Sequence, residues 1–127
     1  METFSFVEFI REGGWGMWPI LLLGLVTLAS ATRYLARPER GCVPFIAALW
    51  VALLVVVVHA TVIDVGAVFH YLENPVRTPD GQMARTLMTG LKESTRPAGL
   101  GGIFLTLAPL LVAAGLYRES AAIRTGR

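Results

Sequence analysis

Three long apolar runs separated by short charged stretches set the pattern of this 127-residue chain. Glu12 and Arg33 bracket an uncharged run over residues 13–32, Arg40 and Asp64 bracket a second over 41–63, and Arg96 and Arg118 bracket a third over 97–117. A helix of about 20 apolar residues crosses a ~30 Å hydrocarbon core. The runs therefore predict transmembrane helices over about 17–36, 43–70 and 97–117. The middle one, VPFIAALWVALLVVVVHATVIDVGAVFHYL, is longer than a bilayer needs. At roughly 1.5 Å per residue it reaches on the order of 45 Å, so it must tilt or stand proud of the membrane. The expected fold class is an all-α membrane protein with three transmembrane helices and short interfacial helices, in one membrane domain over residues 1–127.

The stretches between the runs carry weaker signals. In FSFVEFIRE, residues 4–12, Phe6, Phe9 and Ile10 share one helical side, which suits a short helix lying at the interface; a frayed terminus is the alternative. Gly13, Gly14 and Gly16 then break the chain, Pro19 fits the first turn of the next helix, and Trp15 and Trp18 suit headgroup level. Pro38 and Gly41 mark a tight turn that makes the first two spans an antiparallel hairpin. ENPVRTPDGQ, residues 73–82, holds turn chemistry. Residues 83–95 read as an amphipathic surface helix, with Leu87, Leu91, Met83 and Met88 on its apolar side. The tail after Tyr117 reads as polar and loose.

Small residues recur at helical spacing. Gly24, Thr27 and Ala31 form a stripe on the first span, and Ala98, Gly102, Thr106, Pro109 and Ala113 form one on the third, where Pro109 should kink the helix. Such stripes let another helix approach closely, or merely fill a lipid-facing side. Gly24, Ala31, Gly66 and Gly102 are the helix-packing candidates.

Composition agrees with the pattern: 54% of residues are hydrophobic and mean hydropathy is +0.61. Too few polar residues remain to cover a soluble domain of this size. The net charge of +2 is small and dispersed, which argues against nucleic acid. Cys42 is the only cysteine and forms no internal disulfide. Ala29-Ser30-Ala31 resembles a signal-peptidase site, but the leader holds Glu2, Glu8 and Glu12 against Arg11, where a basic segment is expected. Arg33, Arg37 and Arg40, with Arg118, Arg124 and Arg127, favour a cytoplasmic location for that end. Arg11, Arg77, Arg85, Lys92 and Arg96 on the other side nearly balance them, so charge alone hardly decides orientation.

His59, Thr61, Asp64 and His70 are the polar group of interest in the middle span. At about 100° per residue Thr61 and Asp64 lie about 60° apart on one face, whereas the two histidines lie on another. Asp64 is either a proton or cation site on a water path lined by Thr61, or a carboxylate at the outer membrane edge, hydrated or paired with a nearby arginine. Packed or interfacial roles suit the histidines better than metal ligation, for which they lack spacing and further donors. Gly99-Leu100-Gly101-Gly102 lacks the Lys-Ser/Thr of a phosphate loop, and no nucleophile elbow or His-Glu-x-x-His occurs, so neither an enzyme nor a cofactor or metal is expected.

The order of motifs resembles the MotA/TolQ/ExbB proton-channel family. GGWGMWPILLLGL at 13–25 is similar to its first membrane helix, and ATVIDVGAVFHYL at 60–72 to its second, Gly-Thr-Val-x-Gly-x-x-x-x-Phe-x-x-Leu, matching at Thr61, Val62, Phe69 and Leu72. Gly90-Leu91-Lys92-Glu93, then Gly99-Leu100-Gly101, is similar to the entry of the third. The resemblance implies a bacterial inner-membrane protein, N-terminus outside and C-terminus cytoplasmic. It also implies a homo-oligomer, typically a pentamer, around a single-span partner of the ExbD/TolR type that bears the proton-binding aspartate. Thr61 carries over as a pore-lining candidate, with Asp64 and Thr106 as further candidates for the path. The chain departs from the family in lacking its large cytoplasmic region between the first two spans. Pro97 and Ala98 stand where the family has threonine, and Ala60 and Asp64 where it has glycine. A non-conducting membrane scaffold derived from the family is the alternative.

Overall fold

A computed structural model describes residues 5–74, 76 and 80–126. Pro75 and residues 77–79 of the turn sequence, Phe4 and Arg127 lie outside the described residues. The chain is all-α: α1 (Phe6–Glu12), α2 (Met17–Ala36), α3 (Cys42–Leu72), a single 3-10 turn (Asp80–Gln82), α4 (Met83–Ser94) and α5 (Arg96–Arg124). Three segments, built on α2, on α3 and on α4 with α5, are long and apolar enough to cross a membrane. The protein is a multi-pass membrane protein.

The core of α2 is one stripe. Met17, Ile20, Gly24, Thr27, Ala31 and Tyr34 are all buried, alternating three and four residues apart. Thr27 is fully buried and still costs no orphaned donor, because its hydroxyl donates to the Leu23 carbonyl at 2.7 Å. From α3 come Ile46, Leu53, Val57 and Ala60, and from α5 Pro97, Leu100, Gly101, Phe104, Ala108 and Gly115.

Glycines set how closely the helices meet. A Cβ on Gly24 of α2 would lie 2.2 Å from the Phe104 ring, and a Cβ on Gly115 of α5 would lie 2.7 Å from the Tyr34 ring. Each helix thus seats an aromatic ring in the other's glycine notch. Gly101 of α5 meets Val57 of α3 in the same way, Gly16 meets Ala60 at the start of α2, and Gly90 of α4 meets Val68 of α3. These contacts make α2 and α5 parallel, with α3 antiparallel to both.

Polar clamps close the two ends. At one, Arg96 pairs with Glu12 at 2.6 Å and lies over the Phe9 ring, which holds α1 against the start of α5 and buries Ile10. At the other, Glu119 of α5 accepts from Arg40 and from the buried Tyr34 hydroxyl, and Arg118 donates to the Leu35 carbonyl at 2.7 Å. The bond to Glu119 and its charge hold the Arg40 guanidinium above its ordinary range. A cation stabilised by folding contributes below its unfolded pKa, and with that already far above neutrality and the folded one higher still, raising the pH within any working range leaves this arginine charged.

Two expectations are corrected. Residues 118–124 are the last turns of α5 and not a loose tail, because Arg118 and Glu119 are tied to α2 and to the turn before α3. On α4 the packed side is Thr86, Leu87, Gly90 and Ser94, while Met88 is 76% exposed. The Gly90–Val68 approach, and not the methionines, sets the rotation of α4.

Candidate functional site at the Asp64 cleft

Asp64 continues the inward stripe of α3. Leu53, Val57, Ala60 and Asp64 succeed one another at helical spacing on the side that faces α2 and α5. Ala60 meets Gly16, the residue that precedes α2, so beyond Ala60 there is no α2 left to pack against. Coverage resumes at Val68, under Gly90 of α4. Between these two close contacts lies an open cleft of about 570 Å³, lined by Asp64, Glu12, Arg85, Glu93, Thr89 and Tyr71 among others.

The length of α3 explains where this cleft sits. Its 31 residues reach about 46 Å, roughly 16 Å more than the hydrocarbon needs. The part from Asp64 to Leu72 accounts for about 12 Å of that surplus, and α4 and the α1–α2 turn clothe it. Asp64 is half-buried, and among the described residues its carboxylate has no hydrogen-bond or ion-pair partner. Glu12 is already engaged by Arg96.

The other candidates lie elsewhere. Thr61 is half-buried and donates to the Val57 carbonyl at 2.8 Å; Thr106 is exposed on α5 and donates to the Gly102 carbonyl at 2.8 Å. Each hydroxyl proton is committed to its own helix, so each oxygen offers lone pairs to a water or a protonated group. Thr106 does not join Asp64, because it lies on the outward side of α5. Gly24 and Ala31 are buried between helices. Gly66 and Gly102 are not: a Cβ at either would meet open space within 4 Å. On α5 the close approach falls one residue earlier, at Gly101, because the side toward α3 runs through Leu100, Gly101 and Phe104. His59 and His70 are exposed, with His70 3.8 Å from Glu73. Among the described residues no group of three or more His, Cys, Asp or Glu side chains is arranged to hold a metal ion.

Between the cleft and the arginine end the bundle interior is apolar: Ala60, Val57, Leu53, Phe104, Ala108 and Ile46 fill it, and the buried Thr27 hydroxyl is bonded to its own helix. Among the described residues, the interior of one chain thus holds no continuous line of polar side chains between its two ends.

Sequence reasoning missed three features: the Glu119 hub, the Arg96–Glu12 pair and the bond from Trp50 to Leu105. Pro109 was the available signal for the last, since it leaves the carbonyl four residues earlier without its helical donor. No family model matches the chain, and no curated protein or solved structure matches it either.

Proposed function

We propose that the chain is a membrane subunit of a proton-driven, energy-transducing complex of the MotA/TolQ/ExbB type, assembling with copies of itself around a single-span ExbD/TolR-like partner. The observation that carries this reading is the outward side of α5. Ala98, Thr106, Pro109 and Ala113 are exposed there, with Gly102 beside them, while the opposite side holds the bundle. In lipid, close approach of helices relies on small side chains more than on apolar burial, so this side suits another helix. Since the described interior of one chain is apolar, the proton route on this reading runs between chains, where Thr106 and the half-buried Thr61 offer acceptor oxygens. The family's setting places the complex in a bacterial inner membrane, with the arginine end cytoplasmic and the Asp64 cleft outside.

Proton flux into vesicles holding the complex tests this. Thr61→Val and Thr106→Val should each lower flux sharply, and Gly102→Leu should break assembly while leaving the monomer folded. Unchanged flux in both threonine variants would count against the pore role. The second reading, a non-conducting scaffold, is favoured by Asp64 lying in a cleft within one chain and by Pro97 being buried where the family has a path threonine. A complex that co-purifies with its partner yet gives flat proton flux selects it.

A further inference from the structure

We propose that the arginine end of the bundle binds the headgroup of an anionic phospholipid between the C-terminal turns of α2 and α5. Arg33, Arg37, Arg40, Arg118 and Arg124 gather there against only Glu39 and Glu119. Arg40 is taken by Glu119. Arg33 and Arg37 have no side-chain partner among the described residues, and both are exposed. Arg33 lies in the last turn of α2 and Arg37 is its C-cap residue, so two like charges meet at one helix end and repel. An anion held by both relieves that repulsion. Arg118 joins them across the helix boundary: its bond to the Leu35 carbonyl brings the guanidinium to the last turn of α2, and one bond leaves most of its five N–H donors free.

The surroundings favour an amphiphile over a soluble anion. Leu116 and Tyr117, which precede Arg118 in the same turn of α5 and so flank it on the membrane side, are 43% and 77% exposed. Cationic donors at headgroup level thus continue into bare apolar surface, which matches a phosphodiester joined to acyl chains. At the opposite end the described cations are dispersed: Arg96 is paired with Glu12, Arg85 shares its cleft with Asp64 and Glu93, and Arg11 on α1 and Lys92 on α4 stand apart from them. Clustered Lys and Arg beside a membrane span are the general signature of anionic-lipid attraction.

Native mass spectrometry of the purified protein in neutral detergent, titrated with phosphatidylglycerol or with phosphatidylcholine of the same chains, tests this. Phosphatidylglycerol should be retained roughly tenfold or more in preference. The Arg33→Gln/Arg37→Gln protein should lose that preference. Arg33→Lys/Arg37→Lys, which keeps the charge, should retain most of it, and Arg85→Gln/Lys92→Gln should leave it intact. Circular dichroism verifies that each variant is folded. Equal retention of the two lipids, or a preference that survives Arg33→Gln/Arg37→Gln in folded protein, overturns the proposal. So does displacement of the lipid by inorganic phosphate or tripolyphosphate at comparable concentration, which assigns the site to a soluble anion.

Discussion

Trp50 donates its indole N–H to the Leu105 carbonyl at 2.8 Å, and Leu105 is the residue that Pro109 deprives of its helical donor. One side chain of α3 thus repairs the backbone of α5 at membrane depth, where no water is present to do so. Trp50→Phe should cost about 1–3 kcal/mol, the usual consequence of leaving a buried group unpaired. Pro109→Ala restores the missing N–H, so in that background the same Trp50 change should cost clearly less. A double-mutant cycle from unfolding in detergent measures the coupling; additive effects would show that Trp50 acts only as bulk.

The glycines divide into two classes that sequence spacing does not separate. Gly24→Ala and Gly101→Ala place a Cβ within 2.2 Å of an atom of Phe104 and of Val57 respectively, and should each destabilise by about 1–3 kcal/mol. Gly66→Ala and Gly102→Ala meet open space within the chain and should stabilise the monomer by up to about 1 kcal/mol, through helix propensity alone. Melting temperatures of the four monomeric variants check the division.

Glu119 is the hub of its end, joining Tyr34 and Arg40, whose side chain is 75% exposed against 21% for Glu119. Glu119→Ala should therefore lower the melting temperature more than Arg40→Ala does. The first leaves a buried phenol hydroxyl without its acceptor; the second removes only a screened surface charge. Equal losses would mean that the ion pair, and not Tyr34, dominates the clamp.

Arg96 holds α1 through Glu12 and the Phe9 ring. Arg96→Gln should raise amide exchange across residues 6–12 while leaving the α2 and α5 core protected, since α1 meets the bundle mainly through Ile10. Uniformly faster exchange in all helices would instead make Arg96 a determinant of the whole bundle.

Asp64 has no partner among the described residues, so Asp64→Asn should leave the melting temperature unchanged or raise it slightly, by removing an uncompensated, partly desolvated charge. A marked fall would reveal a cation bound at the carboxylate.

Much of this architecture is legible in sequence, for a reason specific to membranes. A hydrocarbon slab demands uncharged runs of fixed length, and that demand is visible without knowing any contact. The runs bounded by Arg33, Arg40, Asp64, Arg96 and Arg118 declare themselves in this way. Rotation about each helix axis is harder to read, because apolar residues surround the spans on every side and lipid does not penalise an outward leucine. That is why Gly101 and not Gly102 meets α3, and why Met88 points away from the bundle. The Asp64 cleft was hidden for another reason: it exists because α2 begins opposite Ala60, a register between helices that no local pattern encodes.

The paired notches of α2 and α5 have a mechanical corollary. With the Phe104 ring lodged against Gly24 and the Tyr34 ring against Gly115, axial slippage by even one residue, about 1.5 Å, would drive an aromatic edge into neighbouring main chain. The two struts are keyed to each other like a spline. Any movement of these two helices must then tilt or swivel the keyed pair as one body, with travel confined to its borders.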